Sequence, residues 1–152
     1  MASAFTVVLT ETVDIAELAR VYRKVHAADL HLADHRDPSV EDRLRWTAEA
    51  PGFAATVAYV DGEIAGAAGS SYRGGVMSLF GTSVLPRFRR RGIQQALIIA
   101  RLGRGLSLHA DLASITSHPG IPTERNAARL GFQFAYARAV MVKRGPGLVP
   151  SP

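Results

Sequence analysis

The chain has no cysteine and a single tryptophan among its 152 residues. Without a thiol it can form no disulfide, no thiolate metal site and no acyl-cysteine intermediate. Lysine occurs only at positions 24 and 143, so the formal net charge of +5 rests almost wholly on arginine. No apolar run approaches the roughly 18 residues that a membrane-spanning helix needs. The start, Met1-Ala2-Ser3-Ala4, lacks the basic and apolar regions of a secretory signal. These absences lead us to expect a soluble, cytoplasmic protein with no membrane partner. A composition of 47% hydrophobic and 20% charged residues is that of an ordinary globule, and the length suits one domain. We place that domain at residues 1–144, followed by a Pro/Gly-rich tail over 145–152 expected to be disordered. No internal repeat is visible.

What the sequence does have is concentrated. Four arginines fall between Arg87 and Arg91, in the run Val84-Leu85-Pro86-Arg87-Phe88-Arg89-Arg90-Arg91-Gly92-Ile93-Gln94-Gln95-Ala96-Leu97. An apolar strand end passes through a basic loop with one glycine into an apolar-periodic helix. Backbone N–H groups at a helix start are unpaired, the helix dipole adds partial positive charge, and the guanidiniums add full charges. The run is therefore suited to a polyphosphate. It has neither the spacing of a P-loop nor that of a dinucleotide-binding Gly-x-Gly-x-x-Gly turn. A nucleic-acid reader would interleave aromatics or spread its charge along a face. Phe88 alone stands here, as a packing residue, so no specific nucleic-acid partner is expected.

Around this loop the pattern predicts a first strand over 5–9, a helix over 13–26 with Ile15, Leu18, Tyr22 and Val25 on one face, and a second helix begun by Asp37-Pro38-Ser39 and ended by Pro51-Gly52. Ala54 to Tyr59 and Ile64 to Ser71 flank Asp61-Gly62 as a hairpin, and a further strand runs from Met77 to Val84. The helix stripe Ile93, Ala96, Leu97 and Ala100 is expected to break at Gly103 and Gly105. Leu112 to Thr116 reads as a buried parallel strand, Thr123 to Leu130 as a short helix stopped by Gly131, and Phe132 to Val142 as a last strand.

The loop Arg89-Arg90-Arg91-Gly92-Ile93-Gln94, following Val84-Leu85-Pro86, resembles the Arg/Gln-x-x-Gly-x-Gly/Ala signature of the GNAT acyltransferases. The order β, α, α, β, β, β, α, β, α, β is also that of the GNAT fold, so the resemblance covers nearly the whole chain. It implies a mixed α/β (α+β) architecture: a mostly antiparallel central sheet with a splayed opening, flanked by about four helices. It further implies acetyl-CoA as cosubstrate and an acyl-CoA-dependent N-acyltransferase, in which a small-molecule or peptide amine attacks the thioester directly. Carried over by position, Val84 would meet the pantetheine arm, and the amides of Arg89, Arg90, Arg91, Gly92, Ile93, Gln94 and Gln95 would meet the pyrophosphate.

Two positions depart from the family pattern. Gln94 stands where Gly or Ala is usual, so its side chain would have to point away from the phosphates. Counting back from Gly131-Phe132 puts Ala127 where the family often has a tyrosine that protonates the departing thiolate. Beside it stands Thr123-Glu124-Arg125-Asn126, in which Asn126 either bonds CoA or is an exposed helix residue without a role. Tyr136 is the substitute acid nearest in sequence; otherwise it fills the core. Glu41 and Asp42 are distant candidates for deprotonating the amine, a task water could perform. His26, His31 and His35 crowd one segment with Asp29, Asp34 and Asp37, but lack the glutamate or thiolate of a zinc motif. No metal is expected there, and a polar border to the acceptor pocket is the plainer reading. The missing tyrosine keeps a second function open, a non-catalytic or regulatory module that retains the CoA cradle. The pattern leaves room for a homodimer.

Overall fold

The computed structural model describes residues 5–10, 47–139 and 141. Five strands form one sheet in the order β1-β2-β3-β4-β5: β1 (Phe5–Thr10), β2 (Phe53–Val60), β3 (Glu63–Arg73), β4 (Val76–Val84) and β5 (Leu112–Ile115). The first four are antiparallel neighbours, whereas β5 runs parallel to β4. A single 3-10 turn, Pro86–Phe88, leads toward helix α1 (Ile93–Ser107), and helix α2 (Pro122–Arg129) follows β5. The expected helices over 13–26 and from Asp37 onward lie outside the described residues, apart from a helical turn at 47–49.

Local chemistry accounts for the hairpins. Asp61 and Gly62 both take positive φ, 49° and 78°, as the tight turn between apolar strands demands. β2 is buried on both faces from Phe53 to Ala58, which suits a strand with neighbours on either side. α1 lies across the sheet and seals two clusters. Ile93 and Leu97 pack with Val57, Ala67 and Phe88, and Ile98 packs with Met77 and Leu79.

Three expectations are corrected. α1 does not break at Gly103 and Gly105 but runs to Ser107. Gly105 faces β4 so closely that a Cβ there would stand 3.3 Å from the Met77 Cβ, so the glycine is a packing surface and helix contacts outweigh its low propensity. β5 is parallel as expected but not buried: Leu112 is 60% exposed and alternate residues face outward. It closes the sheet among the described residues, and Ala113 and Ile115 pack on the Met77 cluster while the opposite face carries Leu112 and Ser114 outward. Finally, the expected strand over 132–142 is absent from its described residues, 132–139 and 141. Phe132 packs toward the Met77 cluster. Beyond it Phe134 and Tyr136 are 82% and 77% exposed. Alternation favours a pleated surface only where a neighbouring strand supplies the ladder, and here none is paired.

Candidate functional site

β4 has two halves with different neighbours. Val76 to Leu79 pair with Leu112 to Ile115, and there the parallel ladder stops. From Phe80 to Val84, β3 is the one strand among the described residues that pairs with β4. The sheet opens at this point, as the fold expectation required. The same half carries a bulge: Gly66 and Ala67 pair with Val84 and Ser83, but Gly69 pairs with Phe80, so Gly81 and Thr82 share the space opposite Ala68. Gly81 takes φ of 60°, the left-handed conformation that lets one strand hold an extra residue.

The open edge runs straight into the basic loop. Arg90 and Gly92 have φ of 61° and 80°, while Arg91 between them does not have positive φ. Alternating handedness turns successive N–H groups toward one concavity, a shape that collects anions. The N–H groups from Arg90 to Gln95 donate to no backbone carbonyl among the described residues. A Cβ built on Gly92 would meet nothing within 4 Å, so the glycine serves the left-handed turn and leaves the space before α1 clear. A cleft of about 840 Å³ results, lined by Thr82 to Val84 on one wall, by the loop at its end and by α2 on the other wall.

The four clustered arginines have distinct settings. Arg87 pairs with Glu63 and its guanidinium lies 4.8 Å from the Phe88 ring centroid, with that of Arg91 at 5.5 Å. Phe88 itself is a buried core residue, as expected. Arg89 Nε donates to the Val84 carbonyl at 3.0 Å, bracing the loop against the strand end. A carbonyl oxygen has two lone pairs, so a ligand amide at Val84 would share that acceptor with the guanidinium. Arg90 lines the cleft.

Gln94 turns away from the loop concavity. Its Nε2 donates to Thr123 Oγ1 at 2.8 Å, and its Oε1 accepts from Asn126 Nδ2 at 2.6 Å. Gln95 Nε2 also reaches Asn126 Oδ1 at 3.4 Å. Asn126 is thus neither free toward solvent nor without a role: it ties α2 to the first turn of α1. Of the residues expected at the site, Val84, Arg89, Arg90, Gly92, Ile93, Gln94, Gln95 and Asn126 line the one cleft, and Arg91 does not. Tyr136 also lies outside that lining, and its exposure rules out the core-filling role. Ala127, at the position where the family often has tyrosine, is buried and offers no proton. Glu41, Asp42 and the histidines at 26, 31 and 35 lie outside the described residues.

A family model described as "Acetyltransferase (GNAT) family" matches residues 15–132. The chain belongs to the GNAT acetyltransferase family. Solved structures with the same fold include the aminoglycoside N-acetyltransferase AAC(6')-Iy in complex with a CoA-linked bisubstrate analogue, at 22% identity and a TM-score of 0.71 over 94% of this chain and 100% of that one. Another is an aminoglycoside acetyltransferase from an uncultured soil metagenomic sample in complex with sisomicin, at 16% identity and a TM-score of 0.70 over 93% of this chain and 95% of that one. A third is a ribosomal-protein-alanine N-acetyltransferase from Brucella melitensis biovar Abortus 2308, at 15% identity and a TM-score of 0.66 over 93% and 100%. No curated protein sequence matches the chain significantly. At these identities the structural likeness bears on the GNAT fold and not on the acceptor.

Sequence reasoning missed one residue of the GNAT cleft's support. Arg101 is fully buried and donates to Leu97 O, Gly69 O, Phe80 O and Thr82 Oγ1. The signal was legible: Ile93, Leu97, Arg101 and Gly105 repeat every four residues, so one arginine stands in the buried stripe of α1.

Proposed function

We propose that this protein is an acetyl-CoA-dependent N-acetyltransferase acting on a small-molecule or peptide amine. The observation that carries the reading is the continuity of the β4 segment beyond Leu79, where the ladder with β5 stops, with the left-handed loop before α1, on one cleft. An unpaired strand edge can accept an amide-bearing arm as it would another strand, and the pantetheine arm carries such amides. Val84 would take that arm, the loop amides and Arg90 the pyrophosphate, and the Gln94–Asn126 pair would hold α2 as the far wall. The amine would attack the thioester carbon, with a backbone amide at the bulge steadying the oxyanion and no covalent enzyme intermediate. Aminoglycosides belong in the acceptor screen because structures of similar fold carry them. A cytoplasmic location suits this reading, because the reaction depends on a water-soluble acyl carrier.

The release of free CoA from acetyl-CoA, followed over pooled amines including aminoglycosides, polyamines and peptides, tests this reading. Turnover with any pool is expected. Binding of acetyl-CoA without turnover would favour the regulatory module that Ala127 keeps open. The exposure of Tyr136 favours water as the proton source for the thiolate, so Tyr136→Phe is expected to leave kcat unchanged. A loss of roughly 10²–10⁴-fold would instead assign the acid to that phenol.

The same reading extends to assembly. Phe134, Tyr136 and Met141 stand exposed on one stretch of chain, and a second copy burying them against its identical stretch would form an isologous dimer. Light scattering is expected to give twice the monomer mass, and Phe134→Ser to halve it.

A further inference from the structure

Arg101 has an unusual environment for a guanidinium. It is fully buried, and its partners among the described residues are neutral acceptors, three carbonyls and one hydroxyl. Burial draws its pKa down to about 10, which leaves the group charged at neutral pH. Removing a cation from water costs several kcal/mol unless its donors are satisfied. A helix stripe of Ile, Leu and Gly would more simply have held a methionine or leucine. The location of the four acceptors gives the arginine a purpose. Leu97 O belongs to its own helix and fixes the side chain's stem. Gly69 and Phe80 are the pair that flanks the bulge, and Thr82 is one of the two residues inside it. Phe80 is also the first residue of β4 beyond its last pairing with β5. The bulge, the end of the parallel ladder and the reach of Arg101 therefore coincide at one place.

We propose that Arg101 is a positioning residue for the acyl-transfer end of the cleft, holding the β4 bulge in the shape that presents Thr82 and Ser83 to the arm and thioester of the cosubstrate. The inference rests on the acetyl-CoA reading given above. A guanidinium is suited to the task because its donors form a rigid planar fork that reaches several acceptors at once. Lysine keeps the charge and much of the length but places its donors on one nitrogen, so it cannot span two strands in the same way. No partner of Arg101 belongs to the loop from Arg89 to Gln95, so the loop's anion-facing amides do not depend on its hydrogen bonds.

The test compares two ligands by calorimetry on the full chain: acetyl-CoA, which would occupy both loop and bulge, and 3'-phosphoadenosine 5'-diphosphate, which would occupy the loop alone. In Arg101→Lys, acetyl-CoA affinity is expected to fall about tenfold or more, while affinity for the nucleotide stays within about twofold. Thr82→Val keeps the side-chain shape and the strand backbone that would meet the cosubstrate, and removes the hydroxyl that accepts from Arg101. It is expected to show the same split at about threefold, and it serves should Arg101→Lys fail to fold. Equal affinities in variant and unmutated protein, or parallel loss of both ligands with the melting temperature, would overturn the positioning role. If the unmutated protein binds neither ligand, the acetyl-CoA reading itself falls, an outcome distinct from binding without a split.

Discussion

The arginines before α1 and the arginine in its third turn are the same residue type put to opposite uses. Arg89 and Arg90 border an open cleft, whereas Arg101 has no exposed surface and gives its donors to the protein itself. Arg90 contributes charge that a ligand can meet, and water screens it in the ligand's absence, while Arg89 also braces the loop through its bond to the Val84 carbonyl. Arg101 contributes geometry, because each of its three nitrogens donates to a protein acceptor, and between them they join α1 to two strands. A count of basic residues cannot separate these uses. Burial and partner identity do.

The largest effect is expected where both regions are broken together. Leu97 is fully buried between them on α1, and Leu97→Ala should cost about 2–5 kcal/mol. That is a fall of roughly 4–20 °C in Tm at about 2–4 °C per kcal/mol, measurable by calorimetry. A loss under about 1 kcal/mol would mean α1 is not the seam of the core. Next in size is the direct contrast. Arg101→Met strands two carbonyls and a hydroxyl and should cost about 3 kcal/mol, while Arg90→Ala should change the stability of the ligand-free protein by less than about 0.5 kcal/mol. Equal costs in denaturant titrations would erase the distinction between the two settings.

The third expectation sharpens the ligand side of the comparison. Acetyl-CoA at about 100 times its Kd should stabilise the protein by about 2.7 kcal/mol, a rise of roughly 5–10 °C in Tm. Gly92→Glu should abolish that rise, since it forces a side chain into φ of 80° and brings negative charge to the concavity. Arg73→Glu makes an acidic change at the opposite end of the β3–β4 hairpin and should keep it. Identical behaviour of the two variants would reduce the site to a general effect of net charge. The smallest effect concerns the bridge between the helices. Gln94→Ala restores the small residue usual at this point of the GNAT signature but removes the bonds to Thr123 and Asn126. It should cost about 1 kcal/mol in thermal unfolding, with acetyl-CoA affinity no better than before. Tighter binding would show that the side chain obstructs the site.

Much of the fold followed from short-range rules. Asp61-Gly62 specified its turn because the left-handed conformation selects those residues, and Pro122 with Gly131 marked the two ends of α2 through backbone chemistry alone. The loop at Arg89 to Gln95 was legible for the same reason, since strand, basic turn and helix start are consecutive. Errors came where a distant neighbour decided the outcome. Gly105 reads as a helix breaker until Met77 is seen against it, and the alternation at Phe132, Phe134 and Tyr136 reads as a strand until the sheet is seen to pair nothing with it. Arg101 was hidden by its type, because arginine on a helix is usually solvated.

The sequence by itself determined the order of the described elements, the hairpin turns and a loop fit for a polyphosphate, because each depends on residues within a few positions of one another. Only the tertiary structure decided where the sheet opens, that Gln94 and Asn126 pair across two helices, and that a buried guanidinium braces the bulge beside the opening. These features join residues more than ten positions apart, and the acceptors that satisfy them come into reach only when the chain has packed.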